Sequence, residues 1–278
     1  MYSTSQKIGN SITVCGCRPS VGTSTTAAII ASLLATRGEK TLLLTTDADA
    51  PFDAVSMLSS DIEKTHLDEL VILENSNGLT PEALNDYTTN VTDNLAYLRA
   101  STRLTRLAKD AAKTINHIID VAQHNYRYVV LDVGYTYTNY TPNILQQTDL
   151  IVHVLGQDPK SIAQVSDSYT RMNFGEGKFV VPVFADFDDY IPVSLNNICK
   201  SLNVNEVFPI HRDDDIYRAV QNRNIAGFVY RQTQRKTGIF GFKKKKQKEE
   251  DRVSAVDELS NICDLITTAL NNGEDDAS

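Results

Sequence analysis

The sequence predicts an α/β fold, a doubly wound, mostly parallel sheet with helices on both faces, and three observations carry that expectation. Largely apolar runs, such as Thr41 to Thr46, Tyr126 to Asp132 and Asp149 to Leu155, alternate with stretches of helical spacing, as parallel strands buried on both faces require. The opening run, Ser11 to Cys17, passes through the tight loop Arg18-Pro19-Ser20-Val21-Gly22 into a hydroxyl-rich helix start, Thr23-Ser24-Thr25-Thr26, and then the apolar run Ala27 to Leu34. A chain of 278 residues is long enough for one large domain of this kind, and such a domain buries roughly three quarters of its unfolded surface.

Taken in order, Ser24 to Arg37 reads as a helix stopped by Gly38, and Thr41 to Thr46 as a buried strand. Phe52 to Leu73 reads as irregularly helical, Gly78 to Asn85 as a short helix with Pro81 behind Thr80, and Leu95 to Ala100 as the third strand. Ser101 to Gln123 places Leu104, Leu107, Ala111, Ile115, Ile118 and Ile119 at helical spacing. Strands are then expected at Tyr126 to Asp132, Asp149 to Leu155, Lys178 to Phe184 and Val207 to Ile210. The helices between and after them are Tyr140 to Gln147, Ile162 to Met172, Val193 to Leu202 and Asp215 to Asn222. A final helix carries Val256, Leu259, Ile262, Cys263, Ile266 and Leu270 on one face. The expected organisation is a sheet domain over 1–230, a basic amphipathic segment over 231–252, a helix over 253–272 that packs back on the domain, and a frayed acidic end at 273–278.

The formal net charge of −8 excludes a generally basic nucleic-acid binder but not a local basic patch. No apolar run approaches the roughly 18 to 20 residues that span a bilayer, and the N-terminus lacks a secretory pattern. The expectation is a cytoplasmic protein. Cys15, Cys17, Cys199 and Cys263 suit a reducing compartment, with Cys15 and Cys17 packing as small apolar side chains. The histidines at 66, 117, 124, 153 and 211 show no metal-ligand spacing and no nucleophile partner, and are read as structural or exposed.

The first loop has the layout of a phosphate cradle, in which backbone N–H groups and a helix N-terminus face phosphate oxygens. Val21 and Gly22 form the turn, and Ser24 and Thr25 offer hydroxyls to a magnesium ion and to phosphate; the same two residues also suit a plain helix start. A lysine normally precedes such a hydroxyl pair, and here Thr23 stands in its place. Asp47 and Asp49 follow the second strand at the rim where open α/β sheets bind ligands, or they are a solvated strand end. Asp132 ends an apolar run, as does the acid that holds magnesium through water in nucleotide sites, whereas Asp149 begins its strand and is read as structural.

Arg231 to Lys248 contains eight basic and no acidic residues. Ile239, Phe240 and Phe242 would each contribute roughly 1.5 to 3 kcal/mol if buried in a membrane interface. Lys243, Lys244, Lys245 and Lys246 would each add about 1 kcal/mol on an anionic leaflet. Such binding is reversible for one copy and firmer for a dimer presenting two. A solvated basic linker and a DNA-backbone contact are the other readings.

Residues Arg18-Pro19-Ser20-Val21-Gly22-Thr23-Ser24-Thr25 resemble, without gaps, the deviant Walker A motif Lys-Gly-Gly-Val-Gly-Lys-Thr-Thr of the ParA/MinD family of P-loop NTPases. The form Val-Gly-Thr-Ser-Thr preceded by arginine is closer still to the TadZ/CpaE branch. Tyr126 to Asp132 resembles the family's Walker B strand, Thr148 to Val152 its next strand, and Phe208-Pro209-Ile210 with Arg218-Ala219-Val220 its late proline segment and helix. The resemblance implies an ATP-binding, Mg2+-dependent homodimer that localises or assembles a pilus or secretion machine and hydrolyses ATP poorly. It places Arg18 at the lysine that reaches across the dimer, Thr23 at the Walker lysine, Ser24 and Asp132 at the magnesium, Asp47 or alternatively Asp49 at the catalytic position, and Pro209 near the nucleotide. It also implies pilus or secretion proteins as partners, with the 238–246 segment as a peripheral membrane anchor. The alternatives are an active partitioning ATPase that binds DNA non-specifically and a nucleotide-free interaction scaffold.

Overall fold

The computed structural model describes residues 9–46, 53–59, 67–99, 110–135, 141–171, 178–191, 193–236 and 253–275. Its centre is one eight-stranded sheet in the order β3-β4-β2-β5-β1-β6-β7-β8. The strands are β1 (Asn10–Gly16), β2 (Thr41–Thr45), β3 (Thr89–Thr92), β4 (Leu95–Arg99), β5 (Tyr128–Tyr135), β6 (Leu150–Leu155), β7 (Phe179–Phe187) and β8 (Phe208–His211). All neighbours run parallel except the β3–β4 pair at one edge. The expected doubly wound α/β architecture is the one observed.

The helices are α1 (Thr23–Thr36), α2 (Ala54–Leu58), α3 (Leu67–Asn75), α4 (Pro81–Tyr87), α5 (Ala111–Ala122), α6 (Thr141–Gln147), α7 (Pro159–Arg171), α8 (Leu195–Leu202), α9 (Asp214–Gln221), α10 (Ile225–Lys236) and α11 (Ala255–Asp275). Two apolar clusters lie on opposite faces of the sheet, one built on α1, α10 and α11 and the other on α3, α4 and α5. Strand β1 at the centre is buried along its whole length, so its C-terminal end is fixed from both sides.

Several boundaries differ from the sequence expectation. The antiparallel strand β3 was not expected, and Asp132 lies inside β5 rather than at its end, because the strand runs on to Tyr135. Helix α10 continues from Ile225 to Lys236, so the basic stretch begins inside a helix. The region 52–73 holds two helices, with Asp53 capping the first through a bond from the Ser56 N–H. Cys15 and Cys17 are buried, and Asp149 is structural as expected: its Oδ2 accepts from the Ser11 N–H at 2.7 Å and from Gln123 Nε2 at 2.9 Å. The expected final helix forms, and the six apolar residues expected on one face of it are buried. Among the described residues no helix is long and apolar enough to cross a membrane.

Candidate functional site

Strand β1 ends at Gly16, and the chain turns through residues 17–22 before α1 starts. A side chain at Gly16 would place its Cβ 2.2 Å from Thr23 Oγ1 and 2.8 Å from Val21 Cγ1, so the loop closes tightly over that backbone. Ser20 and Gly22 both take left-handed backbone angles, with φ of 59° and 100°. Glycine does this freely, whereas Ser20 bears a cost of the order of 1 kcal/mol. No side chain caps α1 at Gly22 and no acid sits in its first turn. Its first N–H donors and the positive end of its dipole are therefore uncompensated by its own side chains, an arrangement that suits an anion in front of the loop.

Behind the loop, the Ser24 hydroxyl lies near the Asp132 carboxylate and favours its charged form. That carboxylate accepts from Ala54 N–H at 3.3 Å and from Gly134 N–H at 3.2 Å. Burial pushes the Asp132 carboxyl up to about 6, against these bonds, and the nearby Asp53 carboxylate adds to the rise. Asp53 is itself buried and accepts from Arg99 Nε at 2.8 Å, from Ser56 Oγ at 2.7 Å and from Thr45 Oγ1 at 3.2 Å. A hydroxyl near a buried carboxylate, with a second carboxylate close by, is a hard-oxygen donor set that suits Mg2+.

In front of the loop lies a cavity of about 720 Å³. One side is the loop itself with Thr25, Thr26 and Ile29; the far side comes from β7, β8, α9 and α11 through Ala185, His211, Ile216, Tyr217, Val220 and Leu259. Among the described residues its cations are Arg18 and Arg212, with His211, and no lysine lines it. Arg212 stacks over the Tyr217 ring, 5.3 Å from its centroid. Burial, and after it the nearby Asp186 carboxylate, raise the Tyr217 phenol above its ordinary value, and Asp186 is itself a non-glycine residue at φ 60°. Burial pulls the His211 imidazole down, but its bonds to Glu258 and Asp189 outweigh that and hold it above the ordinary histidine value.

The structure brings Arg18, Val21, Gly22, Thr23, Ser24 and Thr25 to the cavity wall. Arg18 is half-exposed and leans on the start of α7, donating from Nε to Ser161 Oγ at 3.0 Å and pairing with Asp158 at 3.5 Å. The Asp158 carboxyl is held below its ordinary value, chiefly by the Ser161 hydroxyl. Asp132 stands one layer behind the wall, at 1% exposure. Pro209 is not on the wall; it pairs with Phe184 in the edge strand β8, and the four residues that follow it line the cavity instead. Asp47, Asp49, Ile239, Phe240, Phe242 and Lys243 to Lys246 lie outside the described residues.

Sequence reasoning missed Asp53, Arg99, His211 and Glu258. Asp53 with Ser56 three residues later, ahead of Ala54-Val55, is a capping signature that the broader helical reading of 52–73 absorbed. His211 was set aside with the other four histidines, whereas the structure puts it on the cavity wall.

The parts fit a nucleoside triphosphate with Mg2+: uncapped N–H donors at one end, a hydroxyl–carboxylate pair behind them, and a half-apolar chamber beyond. The sequence pattern of the family described as AAA domain matches residues 9–173. Among solved structures, the chain is similar to a ParA family ATPase from Chlorobium tepidum (TM-score 0.69, 15% identity, 79% of this chain and 92% of that one). It is also similar to the septum site-determining protein MinD complexed with Mg-ADP from Pyrococcus horikoshii (TM-score 0.69, 13% identity, 93% and 97%). A third is a putative plasmid partition protein from Borrelia burgdorferi bound to AMPPNP (TM-score 0.64, 16% identity, 94% and 99%). At these identities the likeness carries the fold. No relative among the curated proteins matches the chain.

Proposed function

The chain belongs to the AAA domain family, and from that membership we propose that it is an ATP-binding, hydrolysis-poor positioning and assembly factor that works as a homodimer. The observation that carries the reading is the uncapped start of α1 in front of the neighbouring Ser24 and Asp132, opening onto a chamber large enough for the nucleotide. Structural neighbours bound to Mg-ADP and to AMPPNP support ATP as the ligand.

The first N–H groups of α1 would hold the phosphates, Thr25 would add a hydroxyl, and Ser24 and Asp132 would hold the magnesium. Bound there, magnesium supplies charge neutralisation at the phosphate oxygens. Ile29, Val220 and Leu259 offer apolar walls for the base. Phosphoryl transfer depends on positioning and charge, and losing one preorganised donor costs about 100- to 1000-fold in rate. With Thr23 where a lysine would stand, hydrolysis is slow, and Asp47 or Asp49 orients the water for what remains. Arg18 compensates charge: its contacts with Asp158 and Ser161 are surface contacts worth about 1 kcal/mol or less, so the guanidinium is released cheaply toward phosphate or toward a second copy of the chain.

The resemblance of the loop to the TadZ/CpaE branch supports a pilus or secretion machine as the thing positioned. The basic, phenylalanine-bearing 238–246 stretch supports attachment at the cytoplasmic face of the membrane. Calorimetric titration with ATP and Mg2+, run beside phosphate release and mass measurement, tests the reading. Tight binding with little turnover and a doubling of mass is expected. Brisk turnover would transfer the case to an active partitioning ATPase, and no binding would transfer it to a nucleotide-free scaffold.

A further inference from the structure

On the side of α9 away from the nucleotide chamber lies a second concavity, of about 240 Å³, between α9 and α10. Arg218, Arg231 and Arg235 converge on it, Asn222, Asn224 and Gln232 add amide donors, and Phe228 and Ala219 form its floor. Asp215 is the single carboxylate among its lining residues, and it is taken by Arg218 Nη1 at 2.8 Å. Arg231 and Arg235 are exposed and sit one turn apart on the same face of α10. Like charges at that spacing repel each other and weaken a helix slightly. Neither arginine has an ion pair among the described residues.

A groove with three guanidinium groups and one satisfied carboxylate is complementary to a phosphate that bears further negative charge around it. Two neighbouring features select the source of that phosphate. Tyr230, next to Arg231, is 56% exposed, and an aromatic ring beside arginine suits the headgroup region of a bilayer. Helix α10 then leads directly into the stretch with Ile239, Phe240, Phe242 and four consecutive lysines. Nucleic acid would use the cations but gives the aliphatic and phenylalanine side chains nothing to enter.

We propose that the α9–α10 groove binds the phosphate of anionic lipid headgroups and seats this face of the domain on the membrane. The proposal rests on the membrane part of the function above and extends it from the 238–246 stretch to a site on the folded domain. Arg231 and Arg235 hold the headgroup phosphate bidentately, and Arg218 contributes by exchanging its bond to Asp215.

Sedimentation of the full chain with phosphatidylglycerol–phosphatidylcholine vesicles tests it. The Arg231→Gln/Arg235→Gln variant is expected to partition roughly 30-fold more weakly than the parent and with a shallower salt dependence. The control Lys113→Gln/Lys200→Gln, which removes the same charge elsewhere on the surface, should change partitioning less than threefold. Both pairs are exposed, and circular dichroism checks that α10 persists. Equal losses in both pairs would overturn the site in favour of general electrostatics. Unchanged binding of the groove variant, with loss only in Phe240→Asp/Phe242→Asp, would overturn the groove and leave the membrane reading standing. A parent that ignores anionic vesicles would overturn both. A groove variant that loses a 30-base-pair duplex but not vesicles would reassign the groove to nucleic acid.

Discussion

Glu258 grips His211 twice: its Oε1 lies 2.5 Å from the imidazole Nδ1, and its Oε2 accepts the His211 main-chain N–H at 2.8 Å. The pair joins α11 to the end of β8, at the wall of the chamber. On the other side of the imidazole, Nε2 faces Asp189 at 3.2 Å, and the ring meets Phe187 edge-on. The folded imidazole holds its proton more firmly than the unfolded one. The stability this gives is therefore fully present below the ordinary histidine value of about 6.5 and is lost as the pH rises past the higher folded value. Glu258→Gln should cost about 1 to 2 kcal/mol in urea unfolding at pH 5.5 and clearly less at pH 9. Equal losses at the two pH values would show that the contact is not a charged one.

On the proposed reading, magnesium would be held only by ionised Asp132, whose carboxyl burial raises to about 6. In the presence of nucleotide, Mg2+ affinity should be level above that pH and fall about tenfold per pH unit below it. Calorimetry from pH 5 to 8 measures this, and a flat profile would take Asp132 out of the metal site.

Thr23→Lys restores the missing cation at a buried position on the chamber wall. A charge-assisted bond to phosphate is worth about 1.5 kcal/mol or more, so ATP should bind at least about tenfold tighter. No gain in affinity or turnover would count against the assignment of Thr23 to the Walker position.

Gly16→Ala puts a methyl group where Thr23 Oγ1 and Val21 Cγ1 already sit. It should lower stability by about 1 to 3 kcal/mol and weaken nucleotide binding with it, because the same shift opens the loop. The double variant Gly16→Ala/Thr23→Ser, which retains the hydroxyl, would recover little; Gly16→Ala/Thr23→Gly, which clears the space, should recover part of the lost stability.

The strands at the centre of the sheet were legible because burial on both faces demands unbroken apolar runs, and the loop was legible because its geometry restricts residue type. Strand β3 was not, since Thr89-Asn90-Val91-Thr92 is a half-exposed edge with one apolar residue to mark it. Helix α10 was hidden by Gly227 inside its apolar start and by the cations that follow. The chamber's far wall was least legible of all. His211 finds Glu258 47 residues further on, and Asp53 finds Arg99 46 residues further on. No local pattern announces such a meeting; it exists only once the sheet has ordered the strands.

Helix α11 is fastened along its length: Arg37 from α1 donates to the Ser260 carbonyl at 2.8 Å and pairs with Asp264 at 2.9 Å, and Arg127 reaches Asn271 at 2.8 Å. Helix α10 packs on α1 as well. In sequence the lysine-rich stretch therefore falls between two helices, α10 and α11, that both pack on the helix growing out of the phosphate loop. Cutting the chain after Lys236 would not trim an appendage; it would pull away the clasp on His211 and bare the apolar flank that Val256, Leu259, Ile262 and Ile266 cover.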